Sequence, residues 1–147
     1  MSLTEPHLKM SKSHADSRSR IHLDDKPEDI AEKIKLALTD STSGVSYDPM
    51  ARPGVSNLLD IMSHLDSLKR TPSELAAMYE ALSMRAFKDQ VTASITASLA
   101  GIRERYYRLI HHDDSHYLED IAKAGFQKAS IRAAETLKTV RHLRGYI

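Results

Sequence analysis

The stretch Phe87–Ile110, "FKDQVTASITASLAGIRERYYRLI", decides the fold class of this chain. Its apolar residues recur every three or four positions: Phe87, Val91, Ile95, Leu99, Ile102, Tyr106 and Ile110. This spacing predicts an α-helix with one buried face, about 35 to 40 Å long at a rise of 1.5 Å per residue. Gly101 is its weak point, costing about 1 kcal/mol relative to alanine unless a neighbouring backbone needs the space.

The second half of the chain predicts another long helix. Its inner stripe contains apolar and small residues: Leu118, Ile121, Gly125, Ala129, Ala133, Leu137 and Val140. Small residues let a neighbouring helix approach closely, so we expect the two long helices to pack antiparallel, joined through "HHDDSH", His111–His116.

Three shorter helices are predicted upstream. The first begins at "DDKPED" with Asp25 as its cap and Pro27 in the first turn, and the second covers Val55–Leu65. The third begins at Thr71, which forms a capping box with Glu74. The inner faces of the first and third helices are Ile30, Ile34, Ala37 and Leu38, and Leu75, Met78, Tyr79 and Leu82.

Little of the chain falls outside these helices. The stretch "TDSTSGVSYDPMARPG", Thr39–Gly54, predicts a long loop, and such loops are usually functional or disordered. A short strand is expected at Arg20–Leu23. The fold class is therefore all-α, a helical bundle of about five helices, two of them long and antiparallel.

Composition limits the possible functions. The 147 residues, 41% hydrophobic and 28% charged, fit one folded domain with a possible appendage. The absence of cysteine excludes disulfides, thiolate nucleophiles and zinc sites built on sulfur. The longest uncharged stretch, Val91–Ile102, contains several hydroxyl residues, so we expect no membrane partner. No signal peptide is visible in Met1–Lys9.

Basic residues are concentrated near the C-terminus. Only Glu135 opposes five bases after Phe126: Lys128, Arg132, Lys138, Arg141 and Arg144. Such a helix can lie against phosphates, or it can be a solvated face whose cations complement the helix dipole.

A different basic cluster lies near the N-terminus, where Lys9–Ser13 reads "KMSKS". Lysine ammonium groups can follow a moving phosphate, serine hydroxyls can bond phosphate oxygens, and Met10 gives the segment an apolar contact. These groups suit a triphosphate and the charge that develops as pyrophosphate leaves. On composition alone, a solvated tail is the alternative.

The order of further motifs adds a resemblance. After "KMSKS" come "KIKLALTDS" at 33–41, "YDP" at 47–49, "RPGVSNLL" at 52–59, "GIRERY" at 101–106 and "AGFQKA" at 124–129. This series resembles the C-terminal part of the tryptophanyl-tRNA synthetases of the bacterial and mitochondrial type, which are class I aminoacyl-tRNA synthetases. Two departures stand out: His14 and Ala15 precede Asp16 where the family has an acid, and Gly101 replaces a common proline.

The resemblance implies a function for each part of the chain. Residues 1–24 would be a mobile KMSKS loop and the end of a nucleotide-binding domain, and residues 25–147 a helical anticodon-binding domain. The family activates tryptophan with ATP and Mg²⁺ and transfers it to tRNA. Lys9 and Lys12 would be catalytic, holding the departing phosphates, and Met10, Ser11 and Ser13 would complete the ATP site. The candidate tRNA contacts are Arg103, Arg105, Arg108, Arg132, Arg141 and Arg144.

Other implications concern the whole protein. No HIGH signature, first half of a nucleotide-binding fold or tryptophan pocket is recognisable, so we expect a piece of a longer parent, inactive alone. The piece would be a monomer and the full enzyme a homodimer. The expected location is the mitochondrial matrix, with the bacterial cytoplasm as the alternative. A free-standing helical RNA-binding or interaction module that keeps a relic KMSKS loop is the alternative.

A metal site is the remaining alternative to weigh. His111, His112, Asp113, Asp114 and His116 could in principle hold a metal. We expect instead a helix junction capped by Asp114 or Ser115, and no metal. Tyr106 is expected in the core, whereas Tyr107 is open to base stacking.

Overall fold

The computed structural model describes residues 1–111 and 116–146, and within these ranges every regular element is helical. The five α-helices are α1 (Pro27–Leu36), α2 (Pro53–Leu65), α3 (Pro72–Tyr79), α4 (Met84–His111) and α5 (His116–Leu143), and a 3₁₀ turn covers Ser17–Ser19. The all-α prediction is confirmed.

The short strand predicted at Arg20–Leu23 is wrong. Side chains, rather than a neighbouring strand, bond the polar groups of this segment. The His22 N–H donates to Asp25 Oδ2 at 2.8 Å, and the Arg20 guanidinium donates to the His14 carbonyl at 3.0 Å. Extended residues without a paired strand form no ladder.

Helix starts follow the local signals, with one exception. Thr71 and Glu74 form the predicted capping box at α3: Thr71 Oγ1 accepts from Glu74 N and Glu74 Oε2 accepts from Thr71 N. Asp25 does not cap α1, which begins after Lys26. Its carboxylate instead accepts from the Lys33 ammonium in a largely buried ion pair.

The chain divides into two compact units, Met1–Arg105 and Tyr106–Ile147. The core of the first unit includes residues from α1 to α4 and from two loop segments: Leu3, Ile30, Ile34, Val45, Val55, Leu58, Leu59, Leu75, Phe87, Val91, Ile95 and Leu99. The predicted inner face of α4 is thus confirmed from Phe87 to Leu99. Met78 and Leu38, also predicted to face inward, are 54% and 56% exposed.

The predicted inner faces fail further along the chain. Ile102, Tyr106 and Ile110 of α4 are exposed, and no described residue of α5 is buried. Ala129 and Ala133 are exposed, and a Cβ built on Gly125 would meet no atom within 4 Å. The small-residue stripe is therefore exposed in this structure, and its packing against α4 stays a prediction.

The second unit contains two ring contacts. Tyr106 and Tyr107 meet edge to face with ring centroids 5.6 Å apart, and Tyr107 stacks on His111 at 5.8 Å. Tyr106 is 41% exposed rather than in the core. None of the described helices is both long and apolar enough to cross a membrane.

Candidate nucleotide-binding loop

The KMSKS motif lies at the tip of a loop, residues 4–18, which we call the signature loop. Lys9 and Lys12 are exposed, and neither ammonium group forms an ion pair or hydrogen bond with any described residue. The Ser11 and Ser13 hydroxyls lie 2.9 Å apart, and Met10 packs on the edge of the core. The tip thus offers two free cations and two hydroxyls on one apolar support, which suits a polyphosphate.

The base of the signature loop is closed by backbone hydrogen bonds. Leu3 N–H donates to the Ser19 carbonyl at 2.9 Å, and Ser2 N–H donates to the Leu8 carbonyl at 2.7 Å. Ser2, Leu3 and Ser19 are all buried. The segment predicted to be mobile, Met1 to Arg18, therefore has a fixed beginning, because Ser2 and Leu3 are part of the packed unit. Mobility of the loop beyond them stays a prediction.

The return limb of the signature loop is where the sequence departs from the resembled family. His14 Nε2 lies 3.1 Å from Glu5 Oε1 across the loop, and Asp16 N–H donates to His14 Nδ1 at 3.1 Å. Asp16 then caps the 3₁₀ turn by accepting from Arg18 N–H at 2.9 Å. Hydrogen bonds from Arg18 hold the pKa of the Asp16 carboxyl below its usual value. His14 thus anchors the loop within this limb.

A second irregular segment, residues 39–52, is organised by one buried arginine, and we call it the clamped loop. Arg52 is 7% exposed, and its guanidinium donates two hydrogen bonds from Nε and one from Nη2 to the Asp40 carboxylate, at 2.9 to 3.1 Å. It also donates to Ser46 Oγ and to the carbonyls of Thr42 and Gly44. These hydrogen bonds lower the pKa of Asp40 to about 2. The clamped loop is therefore ordered by contacts of its own side chains.

A close backbone approach fixes the start of α2 beside the clamped loop. A Cβ built on Gly54 would lie 2.1 Å from the Leu38 carbonyl oxygen, which no side chain could tolerate without backbone movement. The Leu38 N–H donates to the Leu3 carbonyl at 2.8 Å. The "RPGVSNLL" motif therefore packs against Leu38, whose N–H is bonded to Leu3 at the base of the signature loop.

The candidate tRNA-binding arginines of α4 do not share one environment. Arg103 is half-buried and donates to the Asp25 carbonyl at 3.2 Å, which occupies it structurally. Arg105 and Arg108 are exposed. Contact with tRNA stays a prediction for all three residues.

The candidate tRNA-binding arginines of the α5 region lie on different sides of the helix. Arg132 and Arg141 are nine positions apart, which places them about 180° apart around a helix. Arg141 borders a shallow groove with Lys138 and Tyr146, and Arg144 follows the end of the helix. A single flat partner could contact Arg141 or Arg132, but not both.

The possible metal cluster was the other candidate site. Among the described residues, no group of three histidine, cysteine, aspartate or glutamate side chains could hold a metal ion. His112, Asp113, Asp114 and Ser115, which belong to that candidate and to the predicted helix cap, lie outside the described residues.

Comparison with known proteins assigns the chain to a class. Residues 1–100 match the family described as "tRNA synthetases class I (W and Y)", and the chain belongs to this family. It is 40% identical over 147 residues to the tryptophan–tRNA ligase of Rickettsia conorii and 39% identical over 145 residues to that of Bacillus subtilis.

Coverage and fold agree with this assignment. The two alignments include 100% and 99% of this chain, but only 43% and 42% of the relatives. The chain resembles a crystal structure of tryptophanyl-tRNA synthetase from Mycoplasma pneumoniae with a TM-score of 0.76 and 26% identity, over 100% of this chain and 45% of that one. The chain thus spans less than half the length of these relatives.

Proposed function

We propose that this chain is the C-terminal part of a tryptophan–tRNA ligase, which activates tryptophan with ATP and transfers it to tRNA. The observation that carries the proposal is the signature loop, whose base is fixed while Lys9 and Lys12 at its tip remain free. The tryptophan–tRNA ligases among the relatives support tryptophan over tyrosine within the family.

The chemistry assigned to the tip is phosphate stabilisation. As the tryptophan carboxylate attacks the α-phosphorus of ATP, the bond to pyrophosphate breaks and negative charge builds on the leaving oxygens. Lys9 and Lys12 are the catalytic groups that neutralise this charge, and Met10, Ser11 and Ser13 complete the ATP-binding segment. Mg²⁺ arrives with ATP as part of the substrate.

The remaining parts have separate roles in this proposal. Residues 1–24 end the nucleotide-binding domain, and residues 25–147 bind tRNA. Arg103, Arg105 and Arg108 are the candidate phosphate contacts on α4, and Arg105 and Arg108 are the exposed ones. On α5, Arg141 and Arg144 lie near the same end, and Arg132 serves a different surface. The complete enzyme is a homodimer, whereas the 147-residue chain alone is a monomer.

The cellular location follows from the same relatives. Those named above come from Rickettsia and Bacillus, which favours the bacterial cytoplasm over the mitochondrial matrix expected from the sequence.

The test is pyrophosphate exchange into ATP by a complete synthetase that carries this segment. We expect exchange that depends on tryptophan and not on tyrosine, followed by charging of tryptophan tRNA. The 147-residue chain alone should show none, because it contains the phosphate loop without the tryptophan pocket. Tyrosine-dependent exchange by the complete protein would contradict the proposal. RNA binding by a cellular protein of only this length would favour the free-standing module.

A further inference from the structure

A buried amide on α2 reaches the N-terminal segment of the chain. Asn57 is 4% exposed, and its Nδ2 donates to the Met1 carbonyl at 3.2 Å and the Ser2 carbonyl at 3.1 Å. The two hydrogen bonds cross 56 and 55 positions of sequence. A side-chain amide has two N–H groups, so a single residue can satisfy both carbonyls.

The carbonyls that Asn57 binds belong to the residues that lead into the signature loop. Ser2 N–H also donates to Leu8, directly before the motif, and the next residue, Leu3, donates to Ser19 on the return limb. The Asn57 side chain and the Leu3–Ser19 hydrogen bond therefore meet at one place. A shift of Met1 and Ser2 away from α2 would move both ends of the loop.

We propose that Asn57 is a positioning residue that sets the base of the signature loop, and through it the reach of Lys9 and Lys12 toward the phosphates of ATP. Only the second half of this statement, the reach toward ATP, rests on the proposed function. The Asn57 amide is some distance along the chain from the motif and does not itself belong to the phosphate-binding tip. Its effect is to place groups that act elsewhere.

The neighbouring residue provides a matched control. Ser56 is also buried, at 2% exposed, and its hydroxyl accepts from Asp48 N–H at 3.0 Å. It therefore holds the clamped loop from the same turn of α2. Truncating Ser56 removes a buried hydrogen bond without touching the signature loop, so a general loss of packing would affect both variants alike.

The first measurement uses the 147-residue chain and requires no activity. Asn57→Asp places carboxylate oxygens against two carbonyl oxygens, and we expect the Ser2 and Leu3 amides, which donate to Leu8 and Ser19, to exchange hydrogen about tenfold faster. In Ser56→Ala these amides should keep wild-type rates while Asp48 exchanges faster. If Asn57→Asp does not fold, Asn57→Leu removes both donors and replaces the amide with an apolar side chain of similar size. Wild-type exchange at Ser2 and Leu3 in a folded Asn57 variant would overturn the proposal.

The second measurement uses the complete synthetase. We expect Asn57→Asp to slow single-turnover adenylate formation about tenfold with unchanged tryptophan affinity, and Ser56→Ala to stay within about twofold of wild type. Equal slowing in both variants would reduce Asn57 to a general packing residue and overturn the positioning role. A further outcome is that the wild-type synthetase forms no adenylate while Asn57→Asp still speeds amide exchange at Leu3. That result would support the contact of Asn57 with the loop base and contradict the proposed function.

Discussion

The signature loop and the clamped loop lie in the same unit, have similar lengths, and are held in opposite ways. The clamped loop wraps around Arg52, whose guanidinium reaches a carboxylate, a hydroxyl and two carbonyls. The signature loop is fixed at its base and return limb, while the lysines of its tip have no partner among the described residues. The difference teaches that length and polarity do not decide the order of a loop. What matters is whether its own side chains satisfy its polar groups.

The largest effect on stability should come from removing the centre of the clamped loop. Arg52→Met removes the guanidinium from the Asp40 carboxylate and from two carbonyls, and we expect a loss of about 3 to 5 kcal/mol in the free energy of unfolding. Urea denaturation measures it. Arg85→Met is the control, because Arg85 is exposed, and it should change stability by less than about 0.5 kcal/mol. A loss below about 1 kcal/mol for Arg52→Met would mean that the clamped loop does not depend on its arginine.

The corresponding substitution in the signature loop should lower the rate of adenylate formation and leave the free energy of unfolding unchanged. In the complete synthetase, Lys12→Ala should slow adenylate formation by about 10² to 10³, because the charge it meets develops in the transition state. Tryptophan affinity and the urea midpoint should stay the same. An unchanged single-turnover rate would remove the phosphate role from Lys12.

Two glycine substitutions test the comparison through stability changes of intermediate size. Gly54→Ala forces a methyl group onto the Leu38 carbonyl beside both loops and should cost about 1 to 3 kcal/mol. Gly101→Ala is the matched control in α4, where an added Cβ meets nothing within 4 Å, and it should stabilise by up to about 1 kcal/mol. Thermal melting of both variants tests the pair. A stabilising Gly54→Ala would contradict the close approach at α2.

The smallest expected effect is the acid response of the clamped loop. Asp40 has a folded-state pKa of about 2, below its ordinary value, so its ion pair with Arg52 stabilises the fold above about pH 4. This contribution disappears as the pH falls from about 4 to about 2, and solvent screening keeps it near 1 kcal/mol. In Asp40→Asn, this part of the acid dependence should be absent. Identical urea midpoints against pH for the two proteins would contradict the assignment.

Local signals in the sequence predicted much of the fold. Pro27 lies in the first turn of α1, Thr71 caps α3 with Glu74, and the spacing of Phe87, Val91, Ile95 and Leu99 identifies the buried face of α4. The second helix begins at Pro53, two residues before the predicted start at Val55. These signals act over one or two turns, so a single sequence displays them directly. The KMSKS motif also identified the phosphate-binding candidates, whose roles stay proposals.

Long-range contacts could not be predicted in the same way. The Asn57 amide binds carbonyls more than 50 positions away, and nothing in the neighbouring sequence distinguishes it from an exposed asparagine. Nothing in the sequence indicated that Arg103 donates to the Asp25 carbonyl, 78 positions away. Periodicity identified an apolar stripe on α5 that is exposed in this structure. A stripe shows which side of a helix a partner would cover, but it does not identify that partner.

Backbone amide exchange of the 147-residue chain, measured for both loops in one sample without nucleotide, tests the central contrast most directly. The Val45 and Arg52 amides donate to the Glu80 and Asp48 carbonyls and should be protected, as should Asp48, which donates to Ser56. The amides of Lys9–Ser13 form no hydrogen bonds with described residues and should exchange at nearly the rate of an unfolded peptide. Equal protection of Lys9–Ser13 and of Val45 and Arg52 would contradict the view that the signature loop keeps its tip free for ATP.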